Sequence, residues 1–164
     1  MTSKDSAKPG SVIDREELHQ ELPGVTIIVP TLNEELNIDS LLRRIFLVDL
    51  PSSLKLEVVA VDSNSEDETG KRVAAWSENF PVRLVSLKRN DGLASAVLAG
   101  AGVARYEHVV VMDADLSHPP EKIPDLVHPL IEGSADVVIG SRYVPGGDTP
   151  EWPCRRKIIS RLAG

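Results

Sequence analysis

The run Val109-Val110-Val111-Met112-Asp113-Ala114-Asp115 places two carboxylates one residue apart behind four apolar residues. Side chains alternate along an extended chain, so Asp113 and Asp115 can face one way at a strand's C-terminal end. Like charges at that spacing repel unless a cation sits between or beside them. Hard oxygen donors suit Mg2+ or Mn2+, and these ions commonly hold phosphates as well. The pair therefore points to a divalent cation on a diphosphate. Helix capping is the plain alternative, because Asp is common at strand-to-helix turns. Ser117 and His118 follow closely enough to add a ligand directly or through water, or simply to build the loop.

Other chemistry-bearing residues present similar choices. Asp62 precedes the polar turn Ser63-Asn64-Ser65, where it can accept from a nucleobase N–H edge or form an Asx turn. Asn33 and Glu34 follow Pro30-Thr31 and are explained by capping, with a nucleotide role as the second reading. Lys88, Arg89 and Asn90 before Gly92 can steady phosphate charge or be a solvated loop. No Walker A loop and no Gly-x-Gly-x-x-Gly occur, so the usual phosphate fingerprints are missing.

These residues need elements that gather them. Val25 to Val29 is a β-branched run closed by Pro30, a first strand. Thr31 and Glu34 match a capping box ahead of helically spaced Ile38, Leu41, Leu42 and Ile45. Leu56 to Val61 makes a second strand, and Ser65 with Glu68 a second capping box opening a helix to about Asn79. Val82 to Leu87 reads as a strand, and Gly92 to Ala104 as a helix of small residues. His108 to Met112 is the fourth strand, and Pro119-Pro120 suit the first turn of the helix behind it. Asp136 to Ile139 reads as a fifth strand. Strands alternating with helices mean an α/β domain with a mostly parallel sheet flanked by helices. Ligands sit beyond the carboxyl ends of such strands. Asn33, Glu34, Asp62, Asp113, Asp115 and Arg142 all fall there and should converge on one cleft.

Composition narrows the partners. A chain of 164 residues suits one domain, and a net charge of -7 argues against a general nucleic-acid binder. The lone Cys154 excludes an internal disulfide. No apolar run nears the roughly 18 residues of a membrane span. Residues 1–22 read as a polar tail or a short helix over Ile13 to Leu22, without the apolar core of a signal peptide. Arg155, Arg156, Lys157 and Arg161 form a basic cluster that holds no acid, fit for an anionic partner or a solvated helix face. The pattern starting at Arg155 stops at Gly164 inside a helix, so a natural chain that continues is expected.

Five blocks share an order and spacing: Ile28-Val29-Pro30-Thr31-Leu32-Asn33-Glu34, Val61-Asp62-Ser63-Asn64-Ser65, Met112-Asp113-Ala114-Asp115-Leu116-Ser117-His118-Pro119-Pro120, Gly140-Ser141-Arg142-Tyr143 and Arg156-Lys157-Ile158-Ile159-Ser160-Arg161. Together they resemble the polyprenyl-phosphate (dolichol-phosphate) mannosyltransferases, inverting glycosyltransferases of the GT-A fold. The resemblance implies a GT-A domain over residues 23–164, truncated at its C-terminus. It implies transfer of a hexose, mannose first, from a nucleotide-diphosphate sugar such as GDP-mannose to a polyprenyl phosphate at the cytoplasmic membrane face. It implies that Pro30, Thr31, Asn33, Glu34 and Asp62 line the nucleotide pocket. Asp113 and Asp115, a DxD motif, would hold Mg2+ or Mn2+ with Ser117 at the third ligand position. Arg142, Arg156 and Ser160 would hold the lipid phosphate, with Arg142 also counted as catalytic.

The chain departs from that pattern in places. Ser117 stands where many relatives carry Gln, Asp62-Ser63-Asn64-Ser65 lacks a second acid, and Gly92-Leu93-Ala94 replaces Gly-Leu-Gly. Two other readings stay open: a related GT-A enzyme using UDP-glucose for lipid-phosphate or polysaccharide glycosylation, and a non-catalytic nucleotide-sugar binding module. A phospho-acceptor receiver domain needs an acidic pair at the first strand, where this chain has Pro30-Thr31.

Overall fold

The computed structural model describes residues 23–141 and residue 144. Its β-branched runs become β1 (Gly24–Thr31), β2 (Lys55–Asp62), β3 (Val82–Ser86) and β4 (His108–Val111). All pairings are parallel, in the order β3-β2-β1-β4. The chain steps outward from β1 to β3 and then returns to the other side of β1. The helices are α1 (Ile38–Ile45), α2 (Thr69–Ser77), α3 (Leu93–Ala101) and α4 (Ile123–Ile131), with a 3-10 turn at Pro120–Lys122.

Alternation along β1 sorts the core into two layers. Val25, Ile27 and Val29 pack with Ile38, Leu41, Leu42 and Ile45 of α1, Val73 of α2, and Ile123 and Val127 of α4. Ile28 faces the other way, with Val59, Val61 and Ala96 of α3. Each fully buried Leu, Ile or Val contributes about 1.5–3 kcal/mol over an exposed one. α3 lies close on its face because Gly100 has no side chain. A Cβ there would come within 2.6 Å of Ile28 Cγ2.

β1 is central, yet it tolerates Pro30 near its end. The Met112 N–H donates to Ile28 O at 3.1 Å, so even-numbered groups of β1 turn toward β4. The β4 pairing stops at Ile28–Val111, and Pro30 lies beyond it. Its missing N–H therefore costs no ladder bond.

A buried carboxylate ties the strands together at the opposite end. Glu57 on β2 is 3% exposed. Thr26 Oγ1 donates to its Oε1 at 2.8 Å, as does the Arg105 N–H at 2.7 Å. Arg83 Nη2 donates to its Oε2 at 2.9 Å. Residues of β1, β2 and β3, and the approach to β4, thus share one carboxylate. Burying it is tolerable because every oxygen is paired.

Two expectations fail. Neither capping box forms. Thr31 is the last residue of β1 and its Oγ1 donates to Val61 O at 3.3 Å, while α1 begins later, with Asn37 at its N-cap. Ser65 Oγ donates to Asp62, and Glu68 is itself the N-cap of α2. The loops bond to each other, and it is Asp67 rather than Ser65 that accepts from the first residue of α2. Asp136 to Ile139 does not join the sheet either. Val137 is 74% and Ile139 82% exposed, so this apolar alternation finds no buried face among the described residues. The other element ends fall within a few residues of those expected.

Candidate active site at the sheet switch point

The strand order reverses between β1 and β4, and this is where a crevice opens in doubly wound sheets. A cleft of about 340 Å3 lies there. Pro30, Thr31, Leu32 and Glu34 border it from β1 and its loop, Ser63 from just past β2, Asn90 and Gly92 from the approach to α3, and Leu93 and Ala96 from α3 itself. Asp113, Ala114 and Asp115 complete it from the loop after β4. Residues more than 80 positions apart thus meet on one surface. The first turn of α3 carries no acid, which leaves its positive dipole end uncompensated toward an anion.

The loop after β4 is closed on itself. The Asp113 N–H donates to His118 Nδ1 at 3.1 Å, and the Ser117 N–H to Asp115 Oδ1 at 2.9 Å. Leu116 takes φ 61°, a left-handed conformation that a leucine adopts only under constraint. Downstream, Arg44 of α1 grips Glu121 through Nε at 2.8 Å and Nη2 at 2.6 Å. The Arg44 hydrogen bond holds the Glu121 carboxyl below its usual range.

The loops after β1 and β2 are laced together. The Asn33 N–H donates to Ser65 Oγ at 2.9 Å, and the Glu66 N–H to Asn33 Oδ1 at 2.9 Å. The Glu34 N–H donates to Thr69 Oγ1 at 2.8 Å and the Glu35 N–H to Asp67 Oδ2 at 3.1 Å. The Glu68 N–H returns a bond to Glu35 Oε2 at 3.0 Å. Burial alone would raise the Asp67 carboxyl. The Thr69 hydroxyl and amide, with the Glu35 amide, outweigh it and hold the group below its usual range. Asn33, at φ 57°, fits this turn because Asn tolerates the left-handed region.

The sequence candidates divide accordingly. Pro30, Thr31, Glu34, Asp113 and Asp115 reach the cleft. Asn33 is spent on the lacing, and Asp62 accepts from Ser65 through both its N–H and Oγ. Ser117 is exposed beside the cleft rather than lining it. Lys88 is exposed and Arg89 pairs with Asp91 at 2.8 Å, so only Asn90 of that loop borders the cleft. Arg142, Arg156 and Ser160, with the rest of the basic cluster, lie outside the described residues. Ser63, Leu93 and Ala96 were not foreseen, since small or apolar residues carry no chemical signal. Trp76 packs against Phe46 and Phe80, away from the cleft lining.

A divalent cation suits this donor set. Among the described residues no three His, Cys, Asp or Glu side chains cluster to hold a metal unaided. Mg2+ and ions like it, however, bind through one or two carboxylates and complete their shell with water and substrate phosphate. Asp113 and Asp115 supply that number of hard oxygen side chains at the cleft wall.

This arrangement is the GT-A fold. Residues 26–163 match the sequence profile of glycosyl transferase family 2, and the chain belongs to that family. It is similar to the dolichol-phosphate mannosyltransferase of Pyrococcus furiosus, 43% identical over 139 residues, 85% of this chain and 39% of that protein. Among solved structures it is similar to a mannosyltransferase from Pyrobaculum calidifontis in complex with GDP-Man and Mn2+. That pair is 37% identical with a TM-score of 0.55, over 63% of this chain and 30% of the other. It is also similar to glucosyl-3-phosphoglycerate synthase from Mycobacterium tuberculosis in complex with Mn2+, UDP and glucosyl-3-phosphoglycerate. Identity there is 29% and the TM-score 0.53, over 77% of this chain and 46% of the other. The chain thus spans less than half the length of each of these three proteins.

Proposed function

We propose that this chain is the donor-binding part of a glycosyltransferase that moves mannose from GDP-mannose to a polyprenyl phosphate with inversion. The observation that carries this reading is the meeting of Asp113 and Asp115 with Pro30, Thr31 and Glu34 in one switch-point cleft of a family 2 chain. A relative named for dolichol-phosphate mannose transfer, and a solved mannosyltransferase holding GDP-Man and Mn2+, support the sugar, the base and the acceptor class. The catalytic domain is assigned to residues 23–164. The protein acts at a membrane face, since a polyprenyl phosphate is held there; no helix among the described residues is long and apolar enough to cross the bilayer.

The mechanism follows from charge. Asp113 and Asp115 would hold Mg2+ or Mn2+ on the donor diphosphate, with Ser117 at the cleft rim nearby. When bound, the ion supplies Lewis-acid neutralisation of the departing nucleoside diphosphate. The acceptor phosphate is anionic near neutral pH, so no strong general base is required. Pro30, Thr31 and Glu34 line the nucleotide side, and Asn33 and Asp62 shape that wall through the turn they hold. Arg142, Arg156 and Ser160 are assigned to the lipid phosphate from the sequence resemblance. Charge-assisted bonds from two arginines would orient the nucleophile for in-line displacement.

The test is transfer with Mn2+ or Mg2+, offering GDP-mannose and UDP-glucose against undecaprenyl phosphate, dolichyl phosphate and free sugars. Mannosyl lipid from GDP-mannose alone is expected. Preference for UDP-glucose would favour a second reading, a glucosyl-transferring relative. The UDP-bound glucosyl-3-phosphoglycerate synthase gives that reading its support. Donor binding with no turnover on any acceptor would refute catalysis by this chain.

A further inference from the structure

We infer that His118 is a positioning residue for Asp113, holding that carboxylate in the orientation a divalent cation requires. The inference rests on the proposed function and adds a residue to it. Asp113 follows the point where the sheet lets go. Met112 makes the last bond to β1, so the Asp113 amide lies beyond the ladder. That amide donates to His118 Nδ1 at 3.1 Å instead. A neutral imidazole that accepts at Nδ1 carries its proton on Nε2. Nε2 lies 3.6 Å from Asp113 Oδ2, too far for a hydrogen bond but near enough for the N–H dipole to bear on the carboxylate. One ring therefore addresses both the main chain and the side chain of the same acid.

The ring reaches back because Leu116 reverses the chain at φ 61°. Its far side is fixed by the two prolines and by Glu121 on Arg44. His118 is 44% and Asp113 46% exposed at the side chain, so the contact adds little to global stability. Its effect falls on orientation. Partners that orient a metal-binding side chain typically change metal affinity by about 10–100-fold when removed.

The experiment titrates Mn2+ by electron paramagnetic resonance into the full 164-residue chain with GDP present, beside thermal melting. Asn places an acceptor oxygen where Nδ1 stands, whereas Gln reaches only the Nε2 position. His118→Ala and His118→Gln should weaken Mn2+ uptake by about 10–100-fold, and His118→Asn should stay within about threefold of wild type. Melting should be nearly unchanged throughout. Should the alanine variant fail to fold, the Asn–Gln comparison decides alone. Wild-type affinity in His118→Ala, or an Asn variant as weak as Gln, overturns the positioning role while leaving the functional reading standing. A wild-type chain that takes up no Mn2+ with GDP overturns both.

Discussion

Removing the Glu57 carboxylate should unfasten the sheet without touching the cleft. The side chain accepts from Thr26, Arg105 and Arg83, and the residue is 3% exposed. Glu57→Ala leaves the Thr26 hydroxyl and the Arg105 amide without their acceptor, and Arg83 without its anion. Breaking a buried ion pair by deleting one partner costs about 3–5 kcal/mol. Arg83 is 34% exposed and also donates to Val103 O at 2.7 Å, so water and that carbonyl recover part of the loss. The lower half of the range, about 3–4 kcal/mol, is therefore expected. With a urea slope of about 1–3 kcal/mol per molar, the midpoint should fall by more than about 1 M. Glu57→Gln keeps one acceptor oxygen for Thr26 and Arg105 but turns an NH2 toward Arg83, so its loss should be intermediate. Glu57 lies five residues before Asp62 on the same strand, about 17 Å from the cleft end. Mn2+ and GDP binding should thus survive wherever the variant is folded. Urea melts of the three proteins, followed by circular dichroism, provide the assay. A Glu57→Ala midpoint equal to wild type would refute the clamp. Lost GDP binding in the folded variant would refute its separation from the site.

Three further outcomes are expected. Asp115→Ala should abolish transfer with the melting curve preserved, a loss of at least about 3 kcal/mol in the barrier, read as initial rate with saturating donor. Arg156→Ala should raise KM for the lipid phosphate more than the Kd for GDP-mannose, and equal losses would count against its acceptor role. Glu121 has a folded pKa depressed by the Arg44 hydrogen bond, so its stabilisation is present above the unfolded value and fades as pH falls through the folded one. With Arg44 35% and Glu121 58% exposed, solvent screening keeps this under about 1 kcal/mol. Glu121→Gln should trail wild type slightly at neutral pH, and urea midpoints should converge as pH falls through the depressed folded pKa.

The parts of this molecule that burial dictates were readable in its residues. β1, β2 and β4 announce themselves as β-branched runs. Their polar terminators, Thr31, Asp62 and Asp113, fall at one sheet edge because the strands are parallel. Ile38, Leu41, Leu42 and Ile45 mark α1 by spacing alone. Capping was misread because Thr31-x-x-Glu34 and Ser65-x-x-Glu68 fit a local rule, while Ser65 turns back to Asp62 and the two segments bond across to each other. Nothing in a linear string shows that the Glu34 amide will meet Thr69. Asp136 to Ile139 has strand composition, but composition does not supply a neighbour. His118 gave no sign of its hold on Asp113, since the contact depends on a left-handed Leu116 that no periodicity foretells.

The lacing between the β1 and β2 loops sets a rule for anyone redesigning this wall of the cleft. Exchanging residues 63–69 for those of a relative strands the amides of Asn33, Glu34 and Glu35, which rely on Ser65, Thr69 and Asp67. Grafts on one side alone inherit a mismatch, whereas paired transplants carry their own fasteners. The shape of this wall is thus a property of two segments inherited as a couple.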